Sequence, residues 1–322
     1  MRLETPPPTE PVPDAAEVVR RTAVADALLV AEQAEAAAGT QGVDADVAAE
    51  LERIATATTE QAEQLGGEYD SGLDDIVTDR SASSPSATTP DHTPAAVLTS
   101  LVDAATRTRA AANQVQLGPL GRLLGSVSAA QTRYATDLAR LTGAQAPDLP
   151  PTTIPEPTAP SADPSEGDET AATPAAASVQ DAPVVPTGLS AEDLSALVLA
   201  EDTAGYALEV RAAQAEGDVR TRAADRARAH RARAQAWALV AGVDGTDQDP
   251  RRVAYTVPRG DTPTQDLARD LENDLAQNYA SLVGLAEPGT RTVLVSLLTD
   301  AALAAGRWGA AAVPFPGLPE QA

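Results

Sequence analysis

Neither cysteine nor lysine occurs anywhere in the 322 residues. Without cysteine there are no disulfides, no zinc–thiolate sites, no iron–sulfur clusters and no thiol catalysis. The redox state of a compartment therefore leaves no mark on this chain. Without lysine, Schiff-base chemistry and a phosphate-loop lysine are excluded. All 23 basic residues are arginine, which genomic composition bias accounts for. Aromatics make up 2% of the chain, with one Phe and two Trp, so any core must come from small residues packed between helices. Positive charge is short as well: 47 acids face those arginines, for a net charge of −24. Such a balance disfavours nucleic acid and anionic lipid as direct partners, because phosphate contacts need a basic surface. No apolar run reaches the ~18 residues of a membrane span, and no signal-peptide pattern is present. Met1 is followed directly by the polar stretch RLETPPPTEPVP.

What is present is helix. Ala, Leu, Glu, Gln and Arg dominate the patterned segments, and all are strong helix formers. No run of alternating β-branched residues stands out, so the chain is expected to be all-α. Its length allows two domains on a prior of ~100–200 residues each. Residues 1–13 read as a Pro-rich tether. The region 14–145 reads as two helical hairpins, with helices near 14–38, 44–65, 94–117 and 120–142. A Ser/Thr/Asp/Pro-rich loop at 66–93 separates the hairpins, and Gly118-Pro119 marks a turn. Residues 146–188 form an acidic Pro/Ala-rich linker with too little apolar surface to offset ordering entropy. The last region, 189–322, reads as a four-helix bundle with helices near 191–216, 218–241, 263–286 and 290–309. Ser190 and Asp193 have the spacing of a capping box. The connection 242–262 is long enough for a crossover, and the tail after 309 is apolar enough to pack back. The region before residue 188 carries 28 acids against 10 arginines, and the region after it 19 against 13. Both Trp and the Phe lie in the second region, so that half is expected to be better packed and the first more loosely built.

Metal binding is the sharpest chemical possibility. Four antiparallel helices with one long crossover match a ferritin-like arrangement, whose di-iron site takes Glu from two helices and Glu-x-x-His from the other two. Each of the last four helices offers one inward polar group at the right phase: Glu201, His230, Glu272 and Asp300. The set is incomplete. Three residues before His230 stands Ala227, and three after Asp300 stands Leu303. The competing reading is a buried polar cluster, with His230 paired to Glu201 or Glu272 in a hydrogen-bonded network. The arginines of the central helix, Arg220, Arg222, Arg226, Arg228, Arg231 and Arg233, read as one face. That face suits an anionic partner or, more plainly, solvent and the acids of neighbouring helices.

Other chemistry finds no support. A Ser-His-Asp set would have to use His92, in the 66–93 loop, or His230, and no Gly-x-Ser-x-Gly turn exists. There is no glycine-rich phosphate loop and no dinucleotide fingerprint. No catalytic residue and no cofactor are expected, and the protein reads as a non-enzyme.

Residues 190–320 resemble the actinobacterial ferritin-like domain family of unknown function. The resemblance rests on LVLAEDTAGYALEV at 197–210, AHRARAQAW at 229–237, AYTVP at 254–258, LARDLENDLAQNYASLV at 267–283 and GRWGAAAVPFPGLPE at 306–320. It implies a ferritin-like four-helix domain lacking the full ligand set, and it carries no activity. The opening RLETPPPTEPVPD resembles the tether that follows the lipid-bearing cysteine of actinobacterial lipoproteins, with Met1 in the cysteine's place. It implies an extracytoplasmic envelope location, with membrane contact only through an N-terminal lipid anchor not carried by this chain. The function expected is a non-catalytic scaffold or binding module with a protein partner. The alternative is a metal-binding protein using Glu201, His230, Glu272 and Asp300.

Overall fold

The computed structural model describes residues 12–70, 92–157, 184–257 and 262–321. Most of the Pro-rich tether, residues 71–91 of the expected loop and residues 158–183 of the expected linker lie outside them. Within them the regular structure is helical: α1 (Ala15–Ala38), α2 (Ala45–Gln64), α3 (Pro94–Gln114), α4 (Gly118–Thr142), α5 (Ala191–Gln214), α6 (Gly217–Val240), α7 (Thr264–Leu285) and α8 (Thr292–Arg307), with a short 3-10 turn at Pro319–Gln321.

Local chemistry sets the helix ends. The Asp14 carboxylate accepts from the Glu17 amide at 2.8 Å, and Thr93 caps α3 by accepting from Ala96 at 3.2 Å. Ser190 and Asp193 form the reciprocal capping box at the start of α5. Gly143 ends α4 in the left-handed conformation, φ 68°, which glycine adopts without a Cβ clash. Gly118-Pro119 does not turn the chain as its composition suggested. The two residues open α4 instead, where a proline in the first turn forgoes an amide that has no helical partner.

The helices pair as hairpins: α1 with α2, α3 with α4, α5 with α6 and α7 with α8. The α7–α8 hairpin sits in the middle, with α4 against one side and α5–α6 against the other. The two halves therefore share a core. One apolar cluster joins Val24 and Val127 of the first half to Leu197, Trp237, Leu275 and Leu298 of the second. The first half, expected to be loosely built, has a second cluster of its own around Leu51, Ile54, Leu101 and Leu138, all fully buried.

Glycines let α4 come close to the central hairpin. A Cβ on Gly118 would run into the Gly284 carbonyl of α7, and one on Gly125 would lie 3.4 Å from both Val283 and Val295. Arg291 locks this junction from the turn before α8. Its Nε donates to the Ala286 carbonyl at 2.8 Å, and its Nη1 to Ala112 and Val115 at 3.1 and 2.6 Å. These carbonyls belong to the C-terminal ends of α7 and α3, where the helix dipole favours a cation. Both ends of the expected linker are also attached to the body. Ile154 is buried in the shared core. Thr187 donates its hydroxyl to Glu287 at 2.7 Å, and its carbonyl accepts from the Glu287 amide at 2.9 Å. The tail packs back as expected, with Phe315 and Leu318 buried and the Pro316 carbonyl accepting from Ser126 at 2.7 Å.

Candidate functional site: a buried ion-pair network

The α6 helix presents an unusual stripe to the bundle. Arg226, His230, Arg233 and Trp237 follow one another at helical spacing on one side. Ala223, Ala227 and Ala234 beside them are buried and contribute almost no side-chain bulk. Long side chains can therefore lie over the alanines and reach the facing helices. Trp237 and His230 are fully buried.

The four residues singled out from the sequence do converge. His230 Nδ1 lies 2.6 Å from Glu201 Oε2 on α5, and its Nε2 lies 3.2 Å from Glu272 Oε1 on α7. Glu201, His230 and Glu272 are all at 0% exposure. The other oxygen of Glu201 accepts from the Tyr279 hydroxyl. Asp300 of α8 joins through arginine. Arg226 donates Nε and Nη2 to the two oxygens of Glu272 at 2.5 Å each, and its Nη1 to Asp300 Oδ2 at 2.6 Å. Arg233 Nη2 donates to the same Asp300 oxygen at 2.6 Å. The cluster is thus His230 with both glutamates and not one of them. Arg226 sits as a fork between Glu272 and Asp300.

The charges close on themselves. A neutral imidazole can donate from only one nitrogen, whereas His230 faces a carboxylate from each. The cationic form satisfies both. With His230 protonated, three carboxylates meet two guanidinium groups and one imidazolium, and the buried cluster is neutral. The proton affinities follow. Burial opposes charge on His230, but Glu201 and Glu272 outweigh it and raise its pKa above the ordinary 6.5. Burial pushes Glu272 up, yet Arg226 and then His230 pull it down to about 2. Asp300 is likewise held below the ordinary carboxylate range by Arg226 and Arg233 against the effect of burial. The Tyr279 hydroxyl is pushed well above its ordinary value by burial and by the Glu201 charge.

Of the six arginines read as one outer face, two turn inward. Arg226 and Arg233 lie one turn either side of His230, at i−4 and i+3, and that spacing was the signal for their role. Arg231 remains near the surface. It donates to Asp202 at 2.5 Å and stacks over Tyr206. Asp202 also accepts from the Tyr255 hydroxyl at 2.6 Å, and the Tyr206 and Tyr255 rings meet edge to face at 5.6 Å. This second cluster ties the long α6–α7 connection to α5 and gives the tyrosine of AYTVP a structural role. Tyr279 reads as an apolar anchor from periodicity alone, which is blind to a hydroxyl's partner. His92 lies two residues before α3 and is not among the network's groups.

The arrangement does not fit a ferritin-like di-metal centre. Ala227 and Leu303 occupy two ligand positions, and Arg226 brings positive charge between two of the carboxylates a metal would use. Both nitrogens of His230 are already engaged. Among the described residues, no group of three or more His, Asp or Glu is arranged to hold a metal ion. These residues define an all-α helical bundle with a buried ion-pair network in its core.

Residues 194–320, from the first turns of α5 to the tail, match the family model described as a domain of unknown function, DUF4439. Searches of curated proteins and of solved structures gave no match.

Proposed function

We propose that the protein is a non-catalytic helical scaffold or binding protein. In this reading the last four helices are a ferritin-like bundle in which ion pairs stand where a di-metal centre would. The observation that carries it is Arg226, whose fork bridges Glu272 and Asp300 inside the bundle. The order of elements supports it too: a hairpin, a long connection across 241–263, and a second hairpin. A core built this way specifies which helices meet without offering a substrate a reactive group. Its carboxylates are neutralised and its histidine is held at both nitrogens.

The location that suits this reading is the cell envelope of an actinobacterium, on the extracytoplasmic side, with a protein as the partner. Its support is the resemblance of the opening RLETPPPTEPVPD to a lipoprotein tether. No helix among the described residues is long and apolar enough to cross a membrane, which is compatible with lipid attachment. Fractionation of the full gene product tests this part: recovery in the cytosol alone would sink it.

A metal-binding reading is favoured by one observation, the convergence of Glu201, His230, Glu272 and Asp300 from four helices on one buried place. It requires Arg226 and Arg233 to withdraw. Elemental analysis of the purified protein separates the two. The scaffold reading expects far less than one metal per chain and thermal unfolding that a chelator does not move. Stoichiometric iron, zinc or manganese, with unfolding lowered by the chelator, would overturn it.

A further inference from the structure

The tail after α8 is held down at two points and left open between them. The Ala310 carbonyl accepts from Arg133 at 3.3 Å, and the Pro314 carbonyl from Gln61 at 3.0 Å. Between these anchors, the amides and carbonyls of Ala311, Ala312 and Val313 make no hydrogen bond among the described residues. Ala311 is exposed, and Val313 is 45% exposed. Val313 precedes a proline, which favours extended backbone. A fixed, extended edge with unpaired backbone groups is a template for another strand. A cleft of about 470 Å³ opens beside this edge, against α7 and α8. Ala276, Ala302 and Ala305 line it with methyl groups. Asn273 and Gln277, one turn apart on α7, add side-chain amides that have no hydrogen-bond partner among the described residues. The free charge around the edge is of one sign. Arg133 is engaged at all three nitrogens, since it also donates to Asp137 at 2.6 Å and to the Ala302 carbonyl at 3.1 Å. Glu60 of α2 is exposed and makes no hydrogen bond or ion pair among the described residues. A second cleft of about 420 Å³ lies between the same segment and α2. It adds Glu52, exposed and unpaired like Glu60, and Arg53, which is paired with Glu50 at 2.6 Å.

We propose that residues 311–313 take up an extended basic segment of a partner protein as an added strand. Its backbone pairs with theirs, a small apolar side chain enters the alanine-lined cleft, and an arginine or lysine lies against Glu60. Strand addition draws its affinity from main-chain hydrogen bonds and its specificity from pockets beside the edge. The anchors at Ala310 and Pro314 fix the edge beforehand, which lowers the ordering cost of binding. Basic charge on the partner follows from the free acids at the edge and from the net charge of −24, which draws cations toward the chain. The same net charge opposes a second copy of this chain as the occupant. None of these groups belongs to the polar core, so a peptide bound here neither needs nor excludes a metal there.

Isothermal titration of the full chain with capped hexapeptides of Ala, Val and Thr tests the proposal, each peptide carrying one arginine at a different position. At least one is expected to bind saturably at millimolar concentration or below. Its counterpart with glutamate for arginine is expected not to bind. Methylating alternate backbone nitrogens of the binding peptide keeps its charge but removes donors, and one of the two alternations is expected to weaken binding about tenfold or more, the scale of a few lost hydrogen bonds. Glu60→Arg changes only an exposed side chain and is expected to weaken binding about fivefold, the upper scale of an exposed ion pair. Bound peptide should also slow amide hydrogen exchange in residues 311–313. Absence of saturable binding by every basic peptide, equal binding of the glutamate counterpart, indifference to both methylation patterns, or exchange at 311–313 unchanged by bound peptide would each overturn the proposal. So would self-association of the chain that protects the same residues without peptide, since a second copy would then be the occupant.

Discussion

The α7–α8 hairpin is packed on two sides by opposite means. Toward α4 the contact is made by what is missing: Gly118, Gly125 and Gly284 bring backbones and small apolar side chains together. Toward α6 it is made by long charged groups, Arg226, His230 and Arg233, laid over a bed of alanine. Both surfaces are rich in small residues. The difference lies in what the small residues are for. On α4 they let helices close up. On α6 they make room for side chains that need volume and partners. The first interface depends on shape and tolerates little added bulk. The second depends on charge balance and tolerates little loss of a partner.

Removing one partner from the charged side is therefore the largest break. Arg226→Ala leaves buried Glu272 with His230 alone and takes from Asp300 one of its two arginine hydrogen bonds, and is expected to cost about 3–5 kcal/mol in chemical denaturation. Arg226→Met combined with Glu272→Met removes both charges at once and is expected to recover much of that loss. If the double variant were no more stable than the single one, the cost would lie in packing and not in the orphaned charge.

The corresponding break on the glycine side is smaller. Gly118→Ala places a methyl group against the Gly284 carbonyl, which belongs to backbone and cannot swing aside. Overpacking of this kind is expected to cost about 1–3 kcal/mol. Replacing a helical glycine by alanine at an open position would instead gain about 0.5–1 kcal/mol. The sign alone is thus decisive: a stabilised Gly118→Ala protein would mean that α4 and α7 are not in backbone contact.

Acidity sharpens the same comparison, because only the charged interface titrates. The folded pKa of His230 lies above the ordinary 6.5. Its contribution is fully present below the unfolded pKa and is lost as pH rises through the folded one. Between the two, stability falls by about 1.4 kcal/mol per pH unit for the single proton involved. Glu272, held at about 2, acts in the opposite sense: its contribution is present above the ordinary 4.5 and is lost as pH falls through about 2. Denaturation midpoints across pH should show the alkaline decline in the native chain and in Gly118→Ala. In His230→Gln the decline should vanish. A slope that survives this substitution would place the titrating proton elsewhere.

The sequence already contained most of this, unevenly. Helix ends were legible because capping residues and glycines are local signals: Asp14, Thr93, Ser190 and Gly143 act within a few residues of themselves. The inward phase of Glu201, His230, Glu272 and Asp300 was legible from helical periodicity. Arg226 and Arg233 do not read as core groups, because an arginine is ordinarily solvated and the alanines beside it signal nothing by themselves. Their spacing from His230 was the available clue. The union of the two halves was hidden more deeply. Apolar stripes say that a hairpin has a face to bury but not which hairpin will cover it, so the sequence leaves open both two tethered domains and two bundles packed into one body. Gly118-Pro119 illustrates the ambiguity of a local signal, since the same pair can turn a chain or open a helix.

The smallest effect is expected at the rim of the charged interface, and it distinguishes core from edge. Asp202 stands next to Glu201 and is buried too, but its partners reach toward solvent: it accepts from the part-exposed Arg231 at 2.5 Å and from Tyr255 at 2.6 Å. Tyr255→Phe removes one of these donors and leaves the other, together with the edge-to-face contact on Tyr206. A loss of about 1 kcal/mol is expected, the net worth of one hydrogen bond where the acceptor keeps another partner. Because Tyr255 fastens the connection 241–263 to α5, the change should also raise amide hydrogen exchange in residues 251–257 while Trp237 fluorescence stays as it was. If Tyr255→Phe cost as much as Arg226→Ala, the distinction between the closed network around Glu201 and the partly solvated partners of Asp202 would fail.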